Sequence, residues 1–510
     1  SELCAKQQLI YQISEKNTEM TKRKSGILLH VTSLPGKDGT GTLGKNSYQF
    51  VDFLVKAKQK LWQILPLGQV GYGDSPYQCY SAYAGNVQLI DLELLTENGW
   101  LKETEIKPPA FSKEKAEFEK AREWKKPLLE KAYKNFQKNT KPNIEEYLYF
   151  QYEHDWWLND FALFMALKDF FKGETWNKWP NEIKCREPEA IKVYQKKLQK
   201  EIDLWKFLQW QFFRQWHELK KYANSKGIEI IGDVPLYVST DSSDVWTNTD
   251  IFHLDKNLDP TEVGGVPPDY FSKTGQLWGN PVFNWQRLEE RQFDWWLSRL
   301  HFNLNMYNLV RIDHFRGLES YWSIPAGEKT AINGKWVNAK GFQLLAKFRE
   351  QNGSLPFIAE DLGLITPEVE KLRDDLHLTG IKVLQFAFGS DEKNVNLPHN
   401  YKTHFLVCTG THDNDTTLGW LTSAKGKEKR LIRRYLGDPE QALQKAIEMV
   451  WASTAKLSIV PLQDVLGLDT TARMNTPGTA SGNWGWRFYW KQLNQNQIRF
   501  LKELTEKYNR

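Results

Sequence analysis

"NLVRIDHFRG", residues 308–317, begins as an apolar strand and ends in Arg311, Asp313, His314 and Arg316. A buried strand closing on ionisable groups has the form of a barrel strand whose C-terminal end faces a chemical site. Arg311 and Asp313 are two apart, so on one strand they face the same side. A guanidinium there favours an ionised carboxylate at Asp313, as a nucleophile requires; a structural ion pair is the plainer reading of the same two residues.

Similar runs flank this one on both sides. Before it come "GILLHVTSLP" (26–35), "LWQILPLG" (61–68) and "IEIIGDVPLYV" (228–238). After it come "LPFIAEDLG" (355–363), "TGIKVLQFAFG" (379–389), "HFLVCTGTHDNDT" (404–416) and "LSIVPLQDVLG" (457–467). Several are continuously apolar, as parallel strands buried on both faces are. Helical patterns at 289–307, 339–351, 366–376 and 438–453 separate several of them. Eight strands alternating with helices predict an α/β fold, a (β/α)8 TIM barrel with large, mainly helical insertions after the second and third strands. A doubly wound sheet is the rival, but "HVTSLPGKDGTGTLG" lacks the phosphate-loop fingerprint such a sheet carries after its first strand.

The expected organisation is an N-terminal arm over 1–25 and a barrel over 26–510. Insertions interrupt it at about 69–227, a helical subdomain, and at about 239–307, an active-site loop with helices. Within the first, "WWLNDFALFMALKDFF" (156–171) and residues 201–227 read as buried helices, the second capped by Gly227.

The chain has 510 residues, with 68 Lys+Arg against 63 Asp+Glu. That small surplus, interspersed with acids, excludes the basic stripe of a nucleic-acid binder. No apolar run approaches the roughly 20 residues of a membrane span. Four scattered cysteines without a CxxC pair argue against a zinc site or a disulfide framework, and for a reducing compartment. Aromatic residues reach 14%, including 22 Trp. Core packing accounts for most such rings; flat rings also cover the C–H faces of sugars.

Acidic residues recur at the C-terminal ends of the third, fourth, fifth and seventh strands: Asp233, Asp313, Glu360 with Asp361, and Asp413 with Asp415. Any one of them could be a helix cap. Glu360 follows the apolar "PFIA", a setting that raises a carboxyl pKa and suits a proton donor. His412 and Asp413 in "GTHDNDT" suit hydroxyl recognition or a turn. Paired carboxylates flanked by Arg and His, in an aromatic-rich chain, point to glycosidic-bond chemistry. A metal site is the alternative, but no HxxxH or HExxH spacing occurs.

"RIDHFRG", "IAEDLG" and "THDNDT" resemble the three catalytic segments of the α-amylase clan. More specifically, "SPYQCYSAYAGN" (75–86), "GDVPLYV" (232–238) and "GVPPDYFSKTGQLWGNP" (265–281) resemble the 4-α-glucanotransferases called amylomaltases or disproportionating enzymes. The resemblance runs from about residue 26 to the C-terminus.

This resemblance implies that Asp313 is the nucleophile, Glu360 the general acid/base and Asp413 the transition-state stabiliser. It implies substrate contacts from Tyr77, Asp233, Arg311, His314 and His412, and from Asp269, Phe271, Gln276 and Trp278 in a loop covering the site. It implies malto-oligosaccharides, amylose or starch and glycogen chains as substrates, glucose as an acceptor, and neither metal nor organic cofactor. A bacterial cytoplasm or a plastid stroma would suit such an enzyme. The loop's Tyr270, Phe271 and Trp278 are expected to favour transfer over hydrolysis by excluding water. A hydrolase of the same clan and a non-catalytic glucan-binding protein are the competing readings.

Overall fold

The computed structural model describes residues 23–139, 143–269 and 272–510. The eight apolar runs become the eight strands of one parallel sheet: β1 (Lys24–Leu28), β2 (Leu61–Gln63), β3 (Glu229–Val234), β4 (Leu309–Ile312), β5 (Phe357–Ala359), β6 (Gly380–Val383), β7 (Phe405–Cys408) and β8 (Leu457–Pro461). Neighbours in chain order are neighbours in space, and β8 pairs with β1. The ring closes between β5 and β6 through a parallel bridge from Ile358 to Thr379, with Ala359 N–H donating to Thr379 O at 2.8 Å. The fold is a (β/α)8 barrel.

Strand alternation divides the core in two. Leu28, Leu61, Ile231, Ile358, Ile381, Leu406 and Ile459 fill the barrel interior as one buried cluster. Their neighbours, among them Ile27, Trp62, Ile230, Val310, Val407 and Val460, face outward onto the helices in a much larger cluster. This double burial is why the runs read as continuous rather than alternating apolar stretches. Many of the tryptophans belong to the outer layer; Trp62, Trp210, Trp216, Trp296 and Trp451 are fully buried.

The first insertion is helical, with long helices at Phe118–Lys138, Asp155–Phe170 and Gln199–Ser225. Gly227 takes a φ of 75° just past the last of these, a conformation that favours glycine.

Two expectations need correction. The second insertion is not only loop and helices. Glu262–Val266 and Gln276–Pro281 are strands, and they join Ser320–Pro325 and Lys335–Asn338, which follow β4, in a four-stranded antiparallel sheet. Glycines at 264 and 265 and the short Gln276 strand blurred the period-2 signal there. The arm also ends earlier than residue 25. Lys24 already pairs with Leu457 in the barrel, and its ammonium meets Glu229 at 2.7 Å. Residues 1–22 lie outside the described residues. Among the described residues, no helix is long and apolar enough to cross a membrane.

Candidate active site

β3 and β4 run side by side with Asp233 and Arg311 as register partners. Gly232 lets this corner pack, because a Cβ there would lie 2.0 Å from the Tyr307 ring. The Arg311 Nη1 donates to both Asp233 oxygens, at 2.8 and 2.7 Å, while Nη2 lies 2.9 Å from Asp313 Oδ1. The Arg311 and Asp233 side chains are buried; that of Asp313 is 28% exposed and meets the mouth. Burial opposes the guanidinium's charge, but the Asp233 and Asp313 carboxylates overcome it and hold Arg311 protonated well above its ordinary range. Tyr77 caps the pair, its hydroxyl donating to Asp233 Oδ2 at 2.7 Å.

Asp313 and Glu360 follow adjacent strands, and the backbone laces their loops together. Asp313 N–H donates to Val234 O at 2.9 Å, Glu360 N–H to Ile312 O at 3.1 Å, and Phe315 N–H to Glu360 O at 3.2 Å. His314 takes a left-handed φ of 51°, and its N–H donates to Glu360 Oε2 at 2.7 Å. Burial pushes the Glu360 carboxyl well above the usual range. The Asp313 charge adds to this, whereas Arg311 and the His314 N–H work against it. Burial also holds the His314 ring neutral, at a pKa of about 4. Trp278 packs edge-on against that ring with centroids 4.7 Å apart, and its indole N–H donates to Gln276 Oε1 at 3.2 Å.

The turn "THDNDT" after β7 is held by Asn414, whose Oδ1 accepts from Thr411 N–H and Oγ1, each at 2.9 Å. It presents Asp413, whose Oδ1 lies 3.4 Å from His412 Nε2. His412 is buried and stacks on Tyr77, centroids 5.2 Å apart and planes 16° from parallel. Tyr77, Asp233, Arg311, Asp313, Glu360, His314, His412, Asp413 and Trp278 are thus joined by direct contacts around one mouth.

Other predicted residues lie differently. Asp269 is exposed; it holds a turn in which its Oδ1 accepts from Ser272 N–H at 2.7 Å. Phe271 and Tyr270 lie outside the described residues. Asp361 turns away from Glu360 to ion-pair with Arg373 and accept from Ile381 N–H at 2.7 Å. Asp415 is tied to Thr470 Oγ1 at 2.8 Å. Arg316 is buried, donates to Leu364 O and stacks 3.7 Å over the Trp336 ring centroid of the antiparallel sheet. Among the described residues, no three His, Cys, Asp or Glu side chains are grouped to hold a metal ion.

Sequence reading missed the segment after β8. Asn475 Nδ2 donates to Asp413 Oδ1 at 2.6 Å, Arg473 Nη2 donates to Asp413 O at 2.6 Å, and Trp484 packs against Tyr77 and His412. Its "RMNTPGTASGNWGW" (473–486) has only turn composition to mark it. His30, at the end of β1, was missed as well. Burial, aided by the neighbouring His412, pushes its pKa down to about 3.

A parallel barrel whose mouth gathers carboxylates from several strands, with a buried guanidinium and stacked aromatic rings, defines a (β/α)8 enzyme of the carbohydrate-active kind. Comparison with known proteins is more specific. The 4-alpha-glucanotransferase family model matches residues 29–492. A 4-alpha-glucanotransferase of Thermus thermophilus is 47% identical over 498 residues, 95% of this chain and 99% of that protein. The chloroplastic/amyloplastic 4-alpha-glucanotransferase DPE1 of Arabidopsis thaliana is 39% identical, over 92% of this chain and 82% of that one. The structure of an amylomaltase from Streptococcus agalactiae in complex with acarbose superposes with a TM-score of 0.93 at 41% identity, covering 96% of this chain and all of that one. The chain belongs to the 4-alpha-glucanotransferase family and is an enzyme of that activity.

Proposed function

We propose that the chain moves α-1,4-glucan segments from a malto-oligosaccharide, amylose, starch or glycogen donor to the 4-hydroxyl of glucose or another glucan by retaining double displacement. Asp313 attacks the anomeric carbon while Glu360 protonates the bridging oxygen, which leaves with the released fragment. Glu360, now a carboxylate, takes the proton of the incoming 4-hydroxyl as that oxygen displaces Asp313. Asp413 holds sugar hydroxyls and supports the transition state. Tyr77, Asp233, Arg311, His314 and His412 shape the donor side, and Asp269, Phe271, Gln276 and Trp278 belong to the covering loop.

The observation that carries this reading is the opposite treatment of two adjacent carboxyls. Asp313 sits against the charged Arg311, while Glu360 is buried, which raises its pKa and favours the proton-carrying form. The contact of Trp278 with His314 supports a loop lying over the reacting centre, where it would favour a sugar acceptor over water. The bacterial and plastid relatives suit a bacterial cytoplasm or a plastid stroma as the compartment.

Product analysis after incubation with maltotriose tests the proposal, with Asp313→Ala in parallel. Glucose plus longer oligosaccharides, absent from the variant, is the expected result. Glucose and maltose alone would mean hydrolysis.

A further inference from the structure

A second pocket lies outside the mouth, behind the 75–86 segment that carries Tyr77. Tyr83, Trp156 and Trp295 line it, together with Asp160, Asn248 and Arg291. Its floor is built. Asp244 is buried there and accepts from Ala82 N–H at 2.7 Å, while Tyr83 is buried and donates to Trp295 O at 3.3 Å. Tyr83 also lines the cavity beneath Tyr77 and Asp233, so one ring separates the two spaces.

The rim is aromatic and open. Trp156 stands edge-on to Tyr83, centroids 4.7 Å apart, yet is 49% exposed. Tyr149 and Tyr152 precede it in the helix Ile144–Glu153 and are 65% and 75% exposed. Tyr149 and Tyr152 are three apart on one helix and share a face; the helix breaks at His154, and Trp156 opens the next one. Rings at helical spacing normally face a core. These face solvent.

We propose that this aromatic run and the Trp156–Tyr83 pocket form a secondary binding site for an α-glucan chain, holding a long donor outside the active site. Rings spaced by one helical turn, about 5.4 Å, approach the repeat of a sugar chain, and each covers a pyranose face without demanding hydrogen bonds. The pocket's charged groups are already balanced within the protein, Asp160 by Arg186 at 2.7 Å and Arg291 by Asp250 and Asp294 at 2.9 and 3.0 Å, so they offer hydrogen bonds to neutral hydroxyls rather than a net charge to an ion. A second copy of this chain is the competing occupant; the polar groups inside the pocket favour sugar. The site rests on the proposed glucan substrate, and it makes chain length the variable to measure.

Binding is read in the Asp313→Asn background, where turnover does not consume the ligand. Mobility in amylopectin-containing gels and titration with maltoheptaose and with maltotriose are compared for the parent, Trp156→Ala and Tyr152→Ala. Tyr152→Ala guards against a Trp156 variant that fails through misfolding, and Trp156→Phe is expected to restore binding. Retardation should weaken at least fivefold in both alanine variants. In otherwise wild-type enzyme, disproportionation of maltotriose should stay within twofold while KM for amylose rises. Unchanged gel retardation overturns the proposal. So does light scattering that shows a dimer broken by Trp156→Ala. Loss of maltotriose turnover by the wild-type enzyme itself would instead strike at the proposed function.

Discussion

Arg311 and Asp233 sit directly opposite each other on adjacent parallel strands, and the guanidinium they share with Asp313 makes three carboxylate contacts at 2.7–2.9 Å. A charge placed there is stable only because both partners are present.

Removing it should therefore be costly. Arg311→Met leaves the buried Asp233 carboxylate without its cation and is expected to destabilise the fold by about 3–5 kcal/mol, read from urea unfolding. Arg311→Lys should recover little, because an ammonium cannot span both partners as a planar fork does. A lysine variant with parental stability and kcat/KM would refute the bridging role.

Glu360 is predicted to set the alkaline limb of activity. Burial raises its pKa, so the folded enzyme holds the proton it must donate, and kcat/KM falls as pH rises through that raised value. Glu360→Gln should lose about 10²–10⁴-fold on maltotriose and abolish the limb. A glucosyl fluoride donor, whose leaving group needs no proton, should restore the first step. If the limb persists in the variant, another group carries it.

Tyr77→Phe keeps the stack on His412 but deletes the bond to Asp233. Hydrogen bonds to charged groups contribute about 1.5–3 kcal/mol, so kcat/KM for maltotriose should drop roughly ten- to a hundredfold. Steady-state kinetics decide it.

His30 makes the fold sensitive to acid. Its pKa is about 3 when folded, against an ordinary 6.5. The folded state takes up this proton less readily than the unfolded chain. The contribution is therefore complete above pH 6.5 and is lost progressively as pH falls toward 3. At about 1.4 kcal/mol per pH unit, up to about 2 kcal/mol is lost between pH 6.5 and 5. His30→Gln should flatten the dependence of Tm on pH over that interval; an unaltered slope would place the acid sensitivity elsewhere.

The barrel was legible because its signal is local. Each strand is buried on both faces, so "IEIIGDV" and "LPFIA" declare themselves without reference to partners. The antiparallel sheet was not legible, since its Gly264–Gly265 pair carries no side chains to alternate and its strands come from two separate connections, one after β3 and one after β4. Asp361 and Glu360 show a similar limit. They are neighbours in one acidic dipeptide, yet Asp361 is consumed by Arg373 and only Glu360 reaches the mouth. Nothing in "AED" says which of the two will find a cation.

What the sequence determined by itself is the set of eight strands and the presence of carboxylates at four of their ends, because strand periodicity and burial are properties of short segments. The tertiary structure decided how those carboxylates are used. It set Arg311 between Asp233 and Asp313, brought Asn475 to Asp413 from 62 residues away, and buried Glu360 beneath the His314 turn. Ionisation and orientation depend on charges and hydrogen bonds contributed by other strands, and closing the barrel is what brings those strands together.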